Sequence, residues 1–301
     1  MQTKQEFHIP ITVGDKTAVD YLAEASGLSR QKLKLYMQKG CVWLERASAS
    51  VSDGDSSLDS IDNSQKGYIQ RLRRAKKILN KNEILHFYYD ESVLLSETAP
   101  AILLEDLGEY SIWNKPSGML SQGSKWGDHC TIYRWAEKHL QPERPAFIVH
   151  RLDRAANGLI ILAHKKSVAS QFSKMFEQRK IDKRYRVEVE GDFSKMLADD
   201  KSVVTLDTSV DDKTAISHVS LIEFDKSKNT SSLEVAIETG RKHQIRKHLS
   251  GVGFPVIGDR LYGDVSDETI NLQLSAKSLS FICPITEENK MFTLDSYSTW
   301  F

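Results

Sequence analysis

From about residue 100 onward, the chain is a series of short apolar segments separated by polar turns, and this pattern limits the fold more than any other feature. The segments have the length of β-strands; they are EYSIWNK, GLIILAH, RYRVEVEG, ISHVSLIEF, SSLEVAIE and SLSFICP. Two stretches between them, Thr131 to Leu140 and Val168 to Gln178, have helical spacing. Many strands with few helices predict an α+β domain over residues 100–301, with a mixed, mostly antiparallel sheet and flanking helices. The polar stretch DDKSVVTLDTSVDDK is predicted to form turns.

The first 92 residues predict a second, smaller α+β domain. Ser29 is placed to cap a helix from Arg30 to Lys39, and Gly40 is a natural stop for that helix. Short strands are predicted at VWL and at ILHFYY. Between them, residues 47–68 are rich in Ser, Asp and Gly and poor in apolar residues, which predicts a flexible insert.

The distribution of charge says more than its sum. Lysine plus arginine and aspartate plus glutamate both number 41, so the net charge does not indicate a nucleic-acid partner. Basic side chains nevertheless cluster on both sides of the insert; they are Arg30, Lys34, Arg71, Arg73, Arg74, Lys76 and Lys77. Charge alone explains them equally well as a solvated surface or as an RNA-binding face.

Cysteine usage and hydropathy predict a cytoplasmic protein. Cys41, Cys130 and Cys283 lie far apart, which is typical of buried free thiols in a reducing compartment. The N-terminus lacks the apolar core of a signal peptide, and no apolar run is long enough to span a membrane.

The first candidate site is the charged tetrad His150-Arg151-Leu152-Asp153, which lies just before the apolar run GLIILA. A carboxylate at the start of a buried strand can be held partly away from water. The simpler interpretation is that Asp153 caps a turn and pairs with Arg151 or Arg154, because such ion pairs are common and weak.

The second candidate site runs from Glu238 to Leu249, where the chain turns at Gly240 and enters a short helix, HQIRKHL. A helix N-terminus surrounded by Arg and His suits an anion, although a solvated basic helix has the same pattern. His243 and His248 are five residues apart, which is the wrong spacing for a shared metal on a helix, and no third ligand is evident.

Together these segments resemble the RluA-type pseudouridine synthases. HRLDRAANGLIILA resembles the catalytic signature of that family, and ETGRKHQIRKHLSGVGFPVIGDRLYG resembles its second signature at the expected distance. KRYRVEVEG matches the intervening tyrosine strand, and NKPSGMLSQ, with Lys115 and Pro116, matches the opening strand and loop. The resemblance covers roughly residues 105–285. The N-terminal segment resembles the small RNA-binding domain of a ribosomal protein, which several family members carry.

The resemblance implies a role for each matched position. Asp153 is the catalytic carboxylate, Arg246 is its ionic partner, and Tyr185 stacks on the base and takes part in proton transfer. Substrate binding falls to Arg151, His150, Ile245, Arg241, His243 and Gln244. Isomerisation changes neither the atom count nor the oxidation state, so no cofactor and no metal are expected.

One stretch departs from the family pattern. The family commonly has Asp-Thr-Ser before the glycine of its first signature, and this chain has Ala155-Ala156-Asn157. The change removes hydrogen-bonding groups beside Asp153 and favours the main alternative, a non-catalytic RNA-binding protein of ribosome assembly. A glycoside hydrolase is a weaker alternative, because the motifs offer no second catalytic acid.

RNA is the expected partner, and the protein is expected to act as a monomer. The phosphates of the RNA are predicted to bind near the basic residues that flank Tyr185; these are Arg179, Lys180, Lys183, Arg184 and Arg186. Ribosomal RNA is favoured over transfer RNA because of the accessory domain.

Overall fold

The structure is a computed structural model that describes residues 4–46, 68–197, 202–263 and 269–294. The chain divides into two compact units. Unit 1 comprises Met1–Glu97 and Gly123–Cys130, and unit 2 comprises Thr98–Gln122 and Thr131–Phe301. The segment Gly123–Cys130, which falls inside the range 100–301 expected for the larger domain, thus packs with the residues of the smaller one.

Unit 1 is a four-stranded antiparallel sheet with helices. Its elements are β1 (Lys4–Pro10), α1 (Ala18–Ser26), α2 (Arg30–Lys39), β2 (Val42–Arg46), β3 (Tyr68–Arg71), β4 (Ile84–Asp90) and α3 (Glu91–Leu94). The strand order is β1-β4-β2-β3. Most of the predicted insert lies outside the described residues, and Tyr68, its last residue, begins β3.

Helix α2 begins and ends where its sequence predicts. The Ser29 hydroxyl accepts the N–H of Lys32, and Gly40 adopts the left-handed conformation with φ 84°. Leu33 and Met37, one turn apart, are fully buried in the core of unit 1.

In the described part of unit 2, ten strands form one sheet. The strands are β5 (Ile102–Asp106), β6 (Tyr110–Lys115), β7 (Phe147–Ile148), β8 (Asn157–Ala163), β9 (Asp182–Glu190), β10 (Val203–Leu206), β11 (Ser217–Asp225), β12 (Thr230–Ile237), β13 (Leu274–Ile282) and β14 (Asn289–Thr293). The main order is β10-β11-β12-β9-β13-β8-β6-β5, with β14 on β13 and β7 on β8. The pair β8–β13 is parallel and the other pairs are antiparallel, which confirms the predicted mixed, mostly antiparallel sheet.

Among the described residues of unit 2, three α-helices accompany this sheet: α4 (Ile132–His139), α5 (Lys166–Glu177) and α6 (Gln244–Gly251). A short 3-10 helix covers Phe193–Met196. One prediction was wrong: β10 lies within the stretch predicted to form turns. Its four residues are mostly apolar but stand between polar and charged neighbours, and the strand pairs with β11 at the edge of the sheet.

Apolar clusters cover both faces of the sheet. One cluster contains Ile160, Tyr185 and Leu274, and the other contains Leu159 and Phe281. Strand β8 contributes to both, which explains its unbroken apolar sequence. The loop that precedes β8, the first half of β9 and the first turn of α6 carry the candidate catalytic residues Asp153, Tyr185 and Arg246.

Candidate active site

The loop that carries Asp153 is held by hydroxyl and backbone hydrogen bonds. The hydroxyl of Ser121 donates to the carbonyl of Leu152 at 2.7 Å and accepts the N–H of the same residue at 3.0 Å. Ser117 donates to the carbonyl of Ala155 at 2.7 Å, and the N–H of Gly118 donates to the carbonyl of Arg154 at 2.8 Å. The segment 117–121 therefore fixes the backbone on both sides of Asp153.

A buried lysine ties this loop to β6. The Lys115 side chain is fully buried, and its Nζ donates to the carbonyls of Pro116 at 3.1 Å, Met119 at 2.9 Å and Ala156 at 2.6 Å. Burial lowers the pKa of Lys115 to about 7, against the opposing effect of the Asp153 carboxylate. Sequence reasoning gave Lys115 no role, because its contacts depend on how two loops meet.

Asp153 faces an arginine supplied by α6, 93 residues away in the chain. Nη1 of Arg246 donates to Oδ2 of Asp153 at 3.5 Å. The other edge of the guanidinium binds Asp259: Nε donates to Oδ2 at 2.8 Å and Nη2 donates to Oδ1 at 2.6 Å. Burial acts to lower the pKa of Arg246, but the hydrogen bond and charge of Asp259 outweigh it, so that pKa is raised. Arg246 is therefore a permanent cation shared by two carboxylates.

His243 lies against the second oxygen of Asp153. Its Nε2 is 3.8 Å from Oδ1 of Asp153, and its Nδ1 is 2.9 Å from the hydroxyl of Tyr262. The residue adopts a left-handed backbone conformation, with φ 56°, immediately before α6. Burial lowers the pKa of His243, which favours the neutral imidazole.

The predicted alternative partners of Asp153 have other contacts. Arg154 donates from Nε to the carbonyl of Gly118 at 3.2 Å, and Arg151 donates to the side-chain amide of Gln122 at 3.5 Å. The ionic neighbours of Asp153 are thus Arg246 and His243.

Tyr185 lies on β9 with its ring buried in the main core cluster. Burial, followed by the neighbouring Asp153 carboxylate, raises the pKa of Tyr185, so its hydroxyl is protonated at neutral pH. It can therefore donate a hydrogen bond.

A cavity of about 890 Å³ opens beside these residues and is lined by Asp153, Tyr185 and His243. Its other charged lining residues are mostly basic: Arg151, Arg154, Arg179, Lys183, Arg241 and Lys242, against Glu177 and Glu238. The cavity thus combines the aromatic ring of Tyr185, the Asp153 carboxylate and an excess of cations over anions, which suits a nucleotide with its phosphate.

A model of the RNA pseudouridylate synthase family matches residues 109–251, a range that includes Asp153, Tyr185 and Arg246. The tRNA pseudouridine synthase C of Haemophilus influenzae is 30% identical over 213 residues, which is 62% of this chain and 89% of that protein. The chain belongs to the RNA pseudouridine synthase family. It is an isomerase that acts on RNA, as the resemblance of its motifs predicted.

Two further comparisons agree with the assignment to this family. The ribosomal large subunit pseudouridine synthase D of Borreliella burgdorferi is 29% identical over 237 residues, covering 71% of this synthase and 72% of that protein. The solved structure of human RNA pseudouridylate synthase domain containing 1 has the same fold. Its TM-score is 0.53 at 19% identity, over 66% of this synthase and 85% of that chain.

The cavity brings together several predicted substrate-binding residues of the synthase: His150, Arg151, Arg241 and His243. Nε2 of His150 accepts the N–H of Ile161 at 3.0 Å, and burial lowers the pKa of His150 to about 3, so the ring is neutral. Ile245 is buried in the main core cluster.

The structure corrects the role predicted for Gln244. Its Nε2 donates to the carbonyl of Ile216 and to the hydroxyl of Ser217, both at 3.0 Å. Its Oε1 accepts the hydroxyl of Thr239 at 2.7 Å and the N–H of Arg241 at 3.1 Å. All four hydrogen-bonding positions are filled by protein, so Gln244 holds the loop of the synthase before α6 instead of binding substrate.

The basic residues around Tyr185 lie on two faces of β9. Lys183 shares the face of Tyr185 and lines the cavity, whereas Arg184 and Arg186 point to the opposite face because side chains alternate along a strand. Arg184 pairs there with Glu234 at 2.8 Å. This corrects the expectation that Arg184 binds phosphate beside Tyr185.

In unit 1, Arg71 and Arg73 of the predicted RNA-binding residues contact the buried Asp128, and Arg30 pairs with Asp20 at 2.7 Å. Arg73 forms an ion pair with the buried Asp128 and donates to the carbonyl of Gln38 at 2.8 Å. Arg71 lies 3.4 Å from Asp128 and stacks over the ring of Trp43 at 4.2 Å. These contacts correct the expectation that both guanidiniums are free for RNA. Arg30, Lys34, Arg74 and Lys76 are exposed, and Lys77 lies 3.9 Å from Glu83.

The stretch Ala155-Ala156-Asn157 retains its backbone contacts. The carbonyls of Ala155 and Ala156 accept from Ser117 and Lys115, respectively. Oδ1 of Asn157 is buried without a hydrogen-bond partner among the described residues. The loop of the synthase is therefore positioned through its backbone, without the side chains that the family commonly has here.

The structure also bears on the prediction for the cysteines. The three cysteines are buried free thiols, as predicted. Within the described ranges, no group of three or more His, Cys, Asp and Glu side chains is placed to hold a metal ion. No described helix combines the length and hydropathy needed to cross a lipid bilayer.

Proposed function

We propose that this synthase isomerises uridines of ribosomal RNA with Asp153 as its catalytic carboxylate. The single observation that supports the site is the approach of Arg246 to Asp153 at 3.5 Å, beside a cavity that Tyr185 also lines. Water exclusion disfavours an ionised carboxylate, and the adjacent guanidinium offsets this by stabilising the charged form.

In the reaction, the bond between N1 of uracil and C1′ of ribose breaks, the base rotates, and C5 bonds to C1′. The C5 proton is lost to solvent and N1 takes up one proton in its place, so atoms and electrons balance without a cofactor. The target uridine leaves its stack, which costs a few kcal/mol. Contacts of phosphates with cavity residues such as Arg151 and Arg241 offset that cost.

Tyr185 stacks on the flipped base. Because its hydroxyl is protonated at neutral pH, it donates a hydrogen bond to the base and delivers or relays a proton in the later steps. Replacement of Tyr185 by Phe keeps the stacking and removes the proton, so it separates these two roles.

The site is tested with Asp153→Asn in a tritium-release assay on RNA labelled at C5 of uridine. The variant keeps the shape of the side chain and loses the charge, so we expect no release above background and a dissociation constant for RNA within about threefold of wild type. Asp182→Asn is the matched control, because Asp182 is exposed at the start of β9. Release by Asp153→Asn at the control's rate would remove the assignment. Absence of release by the wild type on every RNA tried would favour a non-catalytic RNA-binding protein.

Ribosomal RNA is the proposed substrate because a relative named for the large ribosomal subunit aligns with a larger share of this chain than the tRNA enzyme does. The relative named for the large ribosomal subunit matches 71% of the chain, and unit 2 makes up only about two thirds, so that match includes residues of unit 1. The match to the tRNA enzyme covers 62%. Mapping of pseudouridines in both RNA classes from cells without this protein tests the choice: a site lost from ribosomal RNA supports it, and a site lost only from tRNA contradicts it.

We further propose that unit 1 binds RNA through four of its exposed cations, Lys34, Arg74, Lys76 and Arg30, the last of which also pairs with Asp20 at 2.7 Å. We also propose that the synthase acts as a cytoplasmic monomer. Neutralising all four cations with Gln should weaken RNA binding and flatten its salt dependence, while the rate at saturating RNA stays within about twofold. Unchanged binding would contradict the proposal. Light scattering of the purified protein and imaging in cells test the oligomeric state and the compartment.

A further inference from the structure

The turn from Asp259 to Tyr262 contacts both groups that face the carboxylate of Asp153. Asp259 binds Arg246, and Tyr262 contacts His243 as well as the guanidinium of Arg246. The sequence motifs gave no role to either residue of this turn.

Asp259 fixes the plane of Arg246. Its carboxylate is fully buried and accepts from Nε and Nη2, which form one edge of the guanidinium. Oδ1 of Asp259 also accepts the N–H groups of Leu261 at 2.9 Å and Tyr262 at 3.2 Å, so the carboxylate itself cannot rotate freely. With one edge occupied, Nη1 is the nitrogen left to point at Asp153.

Tyr262 contacts His243, which faces the other carboxylate oxygen of Asp153. Its hydroxyl lies 2.9 Å from Nδ1 of His243, and its ring packs 5.1 Å from the guanidinium carbon of Arg246. Ser250 donates to the carbonyl of Tyr262 at 2.6 Å and holds the turn on α6. A neutral imidazole carries a proton on only one nitrogen, and a hydroxyl that donates to Nδ1 places that proton on Nε2. Nε2 is the nitrogen 3.8 Å from Asp153.

We propose that Asp259 and Tyr262 are positioning residues for the isomerisation, which direct Nη1 of Arg246 and the Nε2 proton of His243 at the two oxygens of Asp153. The inference rests on the proposed role of Asp153. It adds that one donor faces each oxygen of the carboxylate, Arg246 at 3.5 Å and His243 at 3.8 Å, and that a single turn positions both.

The test of Tyr262 is its replacement by Phe, which keeps the ring against Arg246 and removes the hydroxyl. We expect the turnover number to fall about tenfold while KM for RNA stays within about twofold, because orientation is lost and contacts to RNA are not. Nitrogen NMR of histidine-labelled full-length protein, with His243 assigned by a His243→Gln variant, should show the proton on Nε2 in wild type and a mixture of tautomers in Tyr262→Phe. Tyr110→Phe is the control, because it removes a buried hydroxyl that contacts Cys283 instead.

The test of Asp259 is a double-mutant cycle with Arg246. Asp259→Asn should lower the turnover number about 100-fold in wild type but less than about threefold in an Arg246→Lys background, because the residue acts through the guanidinium. Equal effects in both backgrounds would overturn the role of Asp259. A wild-type His243 protonated on Nδ1, or a normal turnover number for Tyr262→Phe, would overturn the role of Tyr262. Full activity of Asp153→Asn would instead refute the proposed function, so the two failures are distinguishable.

Discussion

Two loops each present a carboxylate to Arg246, and they hold it in different ways. In the loop before β8, Asp153 keeps 24% of its side chain exposed and meets Arg246 at 3.5 Å. In the turn after α6, the fully buried Asp259 meets the same guanidinium at 2.6 and 2.8 Å and also accepts two backbone N–H groups. The tightly held carboxylate has little freedom to react, and the loosely held one faces the cavity. Asp259 thus forms a structural ion pair with Arg246, whereas Asp153 shares the same cation but remains accessible from the cavity.

The difference between Asp153 and Asp259 is tested most strongly by replacing each carboxylate and measuring the free energy of unfolding. Asp259→Ala leaves the buried Arg246 without its main counter-ion, so the free energy of unfolding should fall by about 3–5 kcal/mol. Asp153→Asn removes only a longer, partly exposed contact and should change it by less than about 1 kcal/mol. Urea unfolding of the two variants measures both values. Equal losses would show that the two carboxylates are not held differently.

The second prediction concerns pH and the loop of Asp153. His150 has a pKa of about 3 in the folded protein, well below the value of an unfolded chain, because burial disfavours the charged ring and the nearby Lys183 cation adds to this. Its Nε2 accepts the N–H of Ile161. Between these two pKa values the unfolded state binds more protons, so stability is fully present near pH 7 and is lost as pH falls. From pH 7 to pH 5, wild type should lose about 2 kcal/mol more than His150→Gln. The glutamine oxygen can accept the same N–H without titrating, and parallel pH profiles for the two proteins would contradict the prediction.

The third prediction concerns the hydroxyl that anchors the loop. Ser121→Ala removes both hydrogen bonds to the backbone of Leu152, so stability should fall by about 1–2 kcal/mol and turnover should fall as Asp153 shifts. Ser117→Ala removes one bond farther from Asp153 and should have the smaller effect on both. Thermal unfolding measures the stability of the two variants, and tritium release measures their turnover. The opposite order would mean that the loop is positioned by other contacts.

Local signals in the sequence predicted local structure well. Ser29 and Gly40 set the ends of α2, and apolar runs located most central strands of unit 2. The edge strand β10 was missed because it is only four residues long and lies between polar and charged neighbours. Strand β13 begins at Leu274, four residues before the predicted apolar run, because its first residues pair with β9 although Ser275 and Lys277 interrupt the apolar pattern.

The candidate site was only partly predictable from the sequence. The motifs placed Asp153 and Arg246 together, and the structure brings them within 3.5 Å. Period-two alternation along β9 could have shown that Arg184 faces away from Tyr185. The contacts of Lys115 and Gln244 could not be predicted, because both depend on how separate loops meet in space.

The most direct test of the central claim is a crystal structure of the Asp153→Asn variant bound to its RNA substrate. We expect one uridine to be flipped out of its stack and into the cavity, with its base on the ring of Tyr185 and its nucleoside in contact with residue 153. A uridine that remains stacked in the RNA, or that binds away from Tyr185 and residue 153, would contradict this expectation.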